Sequence, residues 1–250
     1  MNAASSGATF AVVLASGDGR RLGQSHGPKH LVDLHGVPII VWTAARLLAC
    51  REISGVVIVT QKQHRQATGE ALSSALGDQS GNVIFATGKK ERMESFLSGF
   101  TALRKTFDVH EKDHVILADA NRPLFSSSQT EELIRLSAES GAACLARPVV
   151  NGVARAEGKK IVEVPEKAKY FEFVTPEILQ IANLLAALRS KSRLPQSLVE
   201  FALSLGVQPK IVTSSSTNMK LTYPEDVSQL HSISSISDLA TPAPEANRPN

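Results

Sequence analysis

Apolar runs of strand length recur along the chain, separated by stretches whose apolar residues return every three or four positions. Thr9–Ala15 is the first run, Gly55–Thr60 the second, Asn82–Thr87 the third, and His114–Ala118 the fourth, ending on Asp119. Between them, Val41–Leu48 and a polar stretch reaching about Leu76 read as helices. So does Arg92–Leu103, with Met93, Phe96, Leu97, Phe100 and Leu103 on one face. Leu31–Leu34 and Val37–Ile40 flank a tight turn at His35-Gly36, and the single tryptophan, Trp42, reads as core. Strands that are apolar throughout, alternating with helices, predict an α/β fold: a Rossmann-like, mostly parallel sheet covered by helices on both faces. In such sheets ligands sit beyond the carboxyl ends of the strands, so the segments after Ala15, Thr87 and Ala118 are expected to converge on one site.

The alternation breaks between Ala142 and Phe173. Ala143–Ala146 continues the core, but Gly152–Val164 reads as a hairpin turning near Glu157-Gly158, part of an arm of about 148–174 that projects from the domain. Pro176 and Pro195 each predict a helix start, the second helix running through Leu205. Val207–Val212 is a late strand, and a last helix begins near Pro224-Glu225-Asp226. One domain is expected over 8–237. The tail 238–250, dominated by Pro, Ala and Asn, is too poor in apolar residues to fold.

At 250 residues, 42% hydrophobic and 20% charged, the chain has the composition of a soluble globular protein. Its 27 basic residues are dispersed, and 24 acidic ones leave a net charge of +3, which argues against a nucleic-acid partner but permits a local basic cluster. Cys50 and Cys144 lie far apart in apolar segments and read as buried free thiols in a reducing compartment. No apolar run is long enough to span a bilayer and no basic region precedes the first apolar stretch, so a cytoplasmic protein with no membrane partner is expected.

The candidate chemistry begins where the first strand empties into Gly17-Asp18-Gly19, followed by Arg20, Arg21 and, after Pro28, Lys29. Glycines let the backbone turn sharply and offer N–H groups to an anion, and the cations add full charge. Leu22 stands where a dinucleotide-binding fingerprint needs its third glycine, and Thr87-Gly88-Lys89-Lys90 lacks the rest of a Walker loop. What remains suits a triphosphate. Arg20 and Lys89 are equally consistent with solvated surface charges, and Asp119 with a helix cap. His26 and His30 have a helical metal-site spacing, but Gly27-Pro28 between them prevents the helix; both are loop residues, His30 the nearer to the expected ligand.

Four motifs in order, Ala15–Leu22 with Pro28-Lys29, Gly88 through Arg92 to Ser95, Asp119–Pro123, and Asn218–Thr222 with Pro224–Asp226, resemble the cytidylyltransferase family that includes the 2-C-methylerythritol 4-phosphate and ribitol 5-phosphate enzymes. The resemblance spans about Thr9 to Asp226. It implies transfer of CMP from CTP to the phosphorus group of an acceptor, with release of pyrophosphate and no covalent intermediate. Carried over, Arg21, Lys29 and Lys220 are the catalytic cations. The nucleotide is expected on Ala15, Ser16, Gly17, Gly19, Gly88, Ser95, Asp119 and Ala120, with Ala15, Ser16, Gly88 and Ser95 at the cytosine edge and Asp119 holding Mg2+ as cofactor. Arg122, Asn151, Lys167 and Thr175 are expected at the acceptor, and the arm is expected to form a homodimer and lend acceptor-site residues to the neighbouring subunit.

Several positions depart from the family's pattern. Asn151-Gly152 replaces an Asp-Thr pair, Lys167 an arginine, Glu177 a glutamine, Lys90 an acidic residue and Ser16 an alanine, and the loop before Pro28 is one residue longer. These changes suggest a smaller or more acidic acceptor, such as a phosphonate acid. They also leave open a non-catalytic nucleotide-binding regulator on the same fold. A nicotinamide-dependent oxidoreductase has only the glycine loop in its favour.

Overall fold

Strand β1 (Thr9–Ala15) is the centre of the molecule because both its faces are apolar. In the computed structural model, which describes residues 7–17, 19–22, 27–190 and 194–234, the chain order continues with β2 (Asp33–Leu34), β3 (Val37–Pro38), α1 (Ile39–Leu48), β4 (Ile53–Thr60), α2 (Arg65–Leu76), β5 (Val83–Thr87) and α3 (Arg92–Thr106). It runs on through β6 (His114–Asp119), α4 (Ser127–Ser140), β7 (Ala142–Pro148), β8 (Arg155–Glu157), β9 (Lys160–Glu163), β10 (Phe171–Gln180), α5 (Ile181–Ser190), α6 (Leu198–Leu203), β11 (Lys210–Thr213) and α7 (Glu225–Ser234). The tail 238–250, Asp18, His26 and the Arg20 side chain lie outside the described residues.

Seven strands form one sheet in the order β11-β7-β10-β6-β1-β4-β5. β1 pairs in parallel with β4 and β6, β4 with β5, and β7 with β11, whereas β10 runs antiparallel to both of its neighbours. Alternate residues of the central strands feed two separate cores. Ala11, Val13, Val56, Ile58, Ile116 and Ala118 face α1, α2 and α4, while Phe10, Val12, Val57, Val59, Val115 and Leu117 face α3, α5 and α6. That is why these strands read as unbroken apolar runs. A third cluster joins Leu22 of the glycine loop to Trp42, Leu221 and Leu230, so the loop, α1 and α7 share one packing unit. Trp42 is buried and donates its Nε1–H to the Leu34 carbonyl at 3.2 Å.

Where the structure departs from the sequence reading, the causes are local. Pro176 opens no helix; it lies within β10, at the bulge between Val174 and Glu177 where the ladder shifts register. Proline lacks an amide donor, and a bulge is where a strand tolerates that loss. The helix expected from Pro195 starts at Leu198 because Ser197 caps it, its hydroxyl accepting from the Glu200 amide. Helix α4 was not anticipated; Ser126 and Gln129 form a capping box at its start, and Gly141, at φ 81°, closes it. The His35-Gly36 turn is present, with both residues at positive φ as a two-residue hairpin requires. The β8–β9 hairpin is present and exposed throughout. Both cysteines are free and buried, and burial pushes each thiol up to about 12. Among the described residues no helix is long and apolar enough to cross a membrane.

Candidate active site

A cavity of about 600 Å3 opens beyond the carboxyl ends of β1, β4, β5 and β6. Its wall includes Ala15, Ser16, Gly17, Gly19, Arg21, Lys29, Gly88, Ser95, Asp119, Ala120 and Lys220, every nucleotide and catalytic position expected from the sequence. Leu14, His30, Gln61, Lys89, Lys90, Glu91, Arg92 and Asn121 complete it. Arg122, Asn151, Lys167 and Thr175 are not part of this wall. Asn151 and Lys167 are exposed on the arm, where the Lys167 ammonium donates to the Val150 carbonyl at 2.9 Å.

Strand β6 ends by delivering Asp119 to the cavity floor. The carboxylate accepts from Lys220 Nζ at 2.9 Å through Oδ2 and from Arg92 Nη2 at 3.3 Å through Oδ1. Burial alone would raise the Asp119 carboxyl, but Arg92 and then Lys220 outweigh it and hold it below the usual carboxylate range. Thr175 lies beneath, buried, its hydroxyl accepting the Asp119 backbone N–H at 3.3 Å; it positions the aspartate from behind. Arg122 likewise turns to the scaffold, donating from Nη1 to the Asn218 carbonyl at 2.8 Å. Asn218 in turn donates to the Thr175 carbonyl at 3.1 Å, and Asn121 exchanges two hydrogen bonds with Leu221, donating from Nδ2 and accepting at its backbone oxygen. The segment carrying Lys220 is thus pinned to the end of β6 on both sides of the lysine.

The glycine loop holds the facing cations. Gly19 has φ 67°, which only glycine adopts freely, whereas Gly17 is exposed with open space around it. Lys29 donates to the Thr222 carbonyl at 3.0 Å; burial, then Arg21 and Lys220, lowers its ammonium from the ordinary lysine value. Arg21 lies over the Tyr223 ring, 5.8 Å from its centroid. His30 is buried beside Lys29. The Thr68 hydroxyl gives its proton to the His64 carbonyl at 2.7 Å and so accepts from His30 Nε2–H at 3.0 Å. Burial, then His64, pushes His30 down to about 4, so the imidazole is neutral at physiological pH.

At the other end, Gly88 packs against Ser16 so closely that an added Cβ would overlap the Ser16 Cβ. Ser95 accepts from the Lys89 amide at 2.8 Å. Arg92 is the residue the sequence reading left without a role. It reaches Asp119, donates from Nη1 to the Gln196 carbonyl at 2.9 Å, and lies 3.7 Å from the buried Glu177. Its position on the first turn of α3, next to the apolar Met93, gave no sign that it would face two carboxylates. The cavity therefore presents Arg21, Lys29, Arg92 and Lys220 around a single buried carboxylate, a field suited to a polyanion.

One carboxylate cannot cage a metal, and among the described residues no three His, Cys, Asp or Glu side chains gather as ligands. Asp119 does suit Mg2+ shared with a phosphorylated ligand, because that ion takes one or two carboxylates and completes its shell with phosphate oxygens and water.

Residues 9–234 match the family described as 2-C-methyl-D-erythritol 4-phosphate cytidylyltransferase, IspD. The chain belongs to this family. It is a nucleotidyltransferase of the cytidylyltransferase type. The chain is 30% identical over 223 residues to the 2-C-methyl-D-erythritol 4-phosphate cytidylyltransferase of Haemophilus ducreyi, spanning 87% of this chain and 92% of that one. It is 28% identical to the bifunctional ribulose 5-phosphate reductase/CDP-ribitol pyrophosphorylase Bcs1 of Haemophilus influenzae, over 86% of this chain and 46% of that longer protein. The crystal structure of 4-diphosphocytidyl-2C-methyl-D-erythritol synthase from Anaerococcus prevotii shares the fold, with a TM-score of 0.74 at 17% identity over 91% of this chain and 96% of that one.

Proposed function

We propose that the protein transfers CMP from CTP to a small acceptor bearing a phosphate or phosphonate group. An acceptor oxygen attacks the α-phosphorus, a new P–O bond forms, the bond to the bridging oxygen of the β-phosphate breaks, and pyrophosphate leaves with the electron pair. Such a reaction needs positioning and charge stabilisation rather than a protein nucleophile. The observation that supports it most directly is the convergence of Arg21, Lys29, Arg92 and Lys220 on the cavity that also holds Asp119. In this reading Arg21, Lys29 and Lys220 grip the triphosphate and the charge that grows on the pentacoordinate phosphorus. The backbone of Ala15, Gly17, Gly19, Gly88 and Ala120, with Ser16 and Ser95, surrounds the nucleoside. Mg2+ held by Asp119 would neutralise triphosphate charge.

The departures at Asn151-Gly152 and Lys167 bear on the acceptor. Asn151 and Lys167 sit on an arm that exposes Val150 at 80%, Val164 at 71% and Ile161 at 68%, with Tyr170, Phe171 and Phe173 also exposed. So much uncovered apolar surface on a projecting segment favours a homodimer in which the arm delivers Asn151 and Lys167 to the partner's cavity. Lysine at 167 grips as a point charge rather than a planar fork, and the positive charge added at Lys90 favours an acidic acceptor such as a phosphonate acid. Replacing Ile161 and Val164 by Asp should yield a monomer in sedimentation; an unchanged dimer or a monomeric wild type refutes the arm's role.

Incubation with CTP, Mg2+ and a panel of sugar phosphates, polyol phosphates and phosphonate acids should release pyrophosphate with at least one acceptor. Failure of CTP to bind, or binding with no turnover across the panel, rejects the proposal.

A further inference from the structure

At the Ser16–Gly88 end of the cavity most polar side chains are already committed to one another. Ser16 Oγ donates towards Ser95 Oγ at 3.4 Å, while Ser95 accepts the Lys89 N–H and gives its own proton to the Lys89 carbonyl at 3.2 Å. Lys89 and Lys90 are donors only. Gln61 is different. It follows β4 directly, lines the cavity and is half-buried, and its Nε2 donates to the Ser16 carbonyl at 3.2 Å.

That bond fixes which way round the amide stands, because a carbonyl oxygen accepts only from the NH2 side. Gln61 Oε1 is therefore held as an acceptor, and among the described residues no donor is bonded to it. Reversing the amide would set Oε1 against the Ser16 oxygen and cost a part-buried hydrogen bond. The backbone nearby is equally fixed, since the Gly88 amide donates to the Thr60 carbonyl at 3.0 Å and ties the end of β5 to the residue before Gln61.

We infer that Gln61 is a specificity-determining residue that reads the base of the nucleotide, its Oε1 accepting from the exocyclic amino group of a cytosine. This rests on the reading of the cavity as a nucleotide site. Uracil carries a carbonyl where cytosine carries the amino group, and that oxygen meets Oε1 as acceptor against acceptor. A site with a fixed polar group discriminates more strongly by leaving or opposing that group than by shape alone. Glutamine has no apolar periodicity and follows the strand as an ordinary loop residue, so the sequence offers no hint of this role.

The test measures binding to the full-length protein of CTP, UTP and a 2-pyrimidinone nucleoside triphosphate, which has neither amino nor carbonyl group at that ring position. The wild type should bind CTP at least tenfold more tightly than either analogue. In Gln61→Met the preference for CTP over the pyrimidinone should fall to within about twofold, while the pyrimidinone, whose hold is through its triphosphate, keeps its wild-type affinity. A wild type that binds CTP and the pyrimidinone equally, or a Gln61→Met variant that retains the full preference, overturns the assignment. Because the wild-type comparison needs no variant, it stands even where the substitution unfolds the chain. Absence of binding by all three triphosphates defeats instead the underlying reading of the cavity.

Discussion

Lys220 and Asp119 are 101 residues apart in sequence and joined by a 2.9 Å charge-assisted hydrogen bond on the floor of the cavity. The aspartate is buried and doubly paired, so its charge survives burial, whereas the lysine is partly exposed and free to turn towards an anion. A ligand phosphate entering the cavity competes with Asp119 for the Lys220 ammonium. Lys220→Met should therefore lower kcat/KM by about 10²–10³, the scale of a lost transition-state donor. The fold should hold, because Arg92 still pairs Asp119. Turnover within a fewfold of wild type in a steady-state assay excludes Lys220 from the reaction.

Lys29 faces it from the glycine loop and donates to a carbonyl, that of Thr222, with the Asp226 carboxylate as a further, longer-range attraction. A cation whose pKa is lowered by burial and by the neighbouring Arg21 and Lys220 gains from an incoming phosphate. Lys29→Ala should reduce turnover by orders of magnitude, about 10²–10³ or more, with a far-ultraviolet circular dichroism spectrum like that of wild type. Loss of the spectrum together with activity would point to a structural lysine instead.

What the sequence made legible follows from how the chain packs. The central strands were visible because both faces are buried, and the glycine loop, Asp119 and Lys220 because their motifs occur in order. Helix α4 and the strand around Pro176 were missed for opposite reasons. The helix buries Thr130, Leu133, Ile134 and Ser137, only two of them apolar, and its start is set by side-chain capping. The proline sits in a bulge, where tertiary pairing overrides its local preference. Arg122 and Thr175 are expected at the acceptor from the sequence; in the fold Arg122 donates to the Asn218 carbonyl and Thr175 accepts the Asp119 N–H, contacts made between distant parts of the chain. Arg92, Gln61 and the buried contacts of Glu177 depend on which elements meet in space, which no periodicity encodes.

Glu177 makes stability depend on pH in an unusual direction. It is buried in β10, and burial pushes its carboxyl up to about 7, against the opposing pull of Arg92 and the Val199 N–H. The ordinary glutamate value is 4.5, so between there and about 7 the folded chain binds more protons than the unfolded one. The stabilisation is complete below the unfolded value and is lost as pH rises through the folded one. The loss is on the order of 3 kcal/mol by the standard conversion of pKa shifts. Wild type should thus lose several degrees of melting temperature between pH 5 and 8 relative to Glu177→Gln, which can still accept from Val199. Parallel melting curves for the two proteins across that range contradict a titrating Glu177.

The packing of Gly88 on Ser16 supplies a test that separates the nucleoside end of the cavity from the phosphate end. A methyl group at 88 has nowhere to go: its carbon would overlap the Ser16 Cβ, with Ser16 Oγ at 2.7 Å and Gln61 Nε2 at 3.2 Å. Gly88→Ala must therefore push the end of β5 away from the end of β1, or displace Ser16 and the Gln61 amide bonded to it. Either movement widens the end where Ser95 and Lys89 also meet, while Arg21, Lys29 and Lys220 stay in place on elements that do not touch Gly88. CTP affinity should fall about tenfold or more, and affinity for inorganic triphosphate should remain near wild type, both by calorimetry. Ser16→Gly removes the obstructing Cβ, so the double variant should recover most of the lost CTP affinity, a coupling that independent sites do not show. Equal losses for CTP and triphosphate in Gly88→Ala, or no recovery in the double variant, would mean that the two residues do not shape the base end as described.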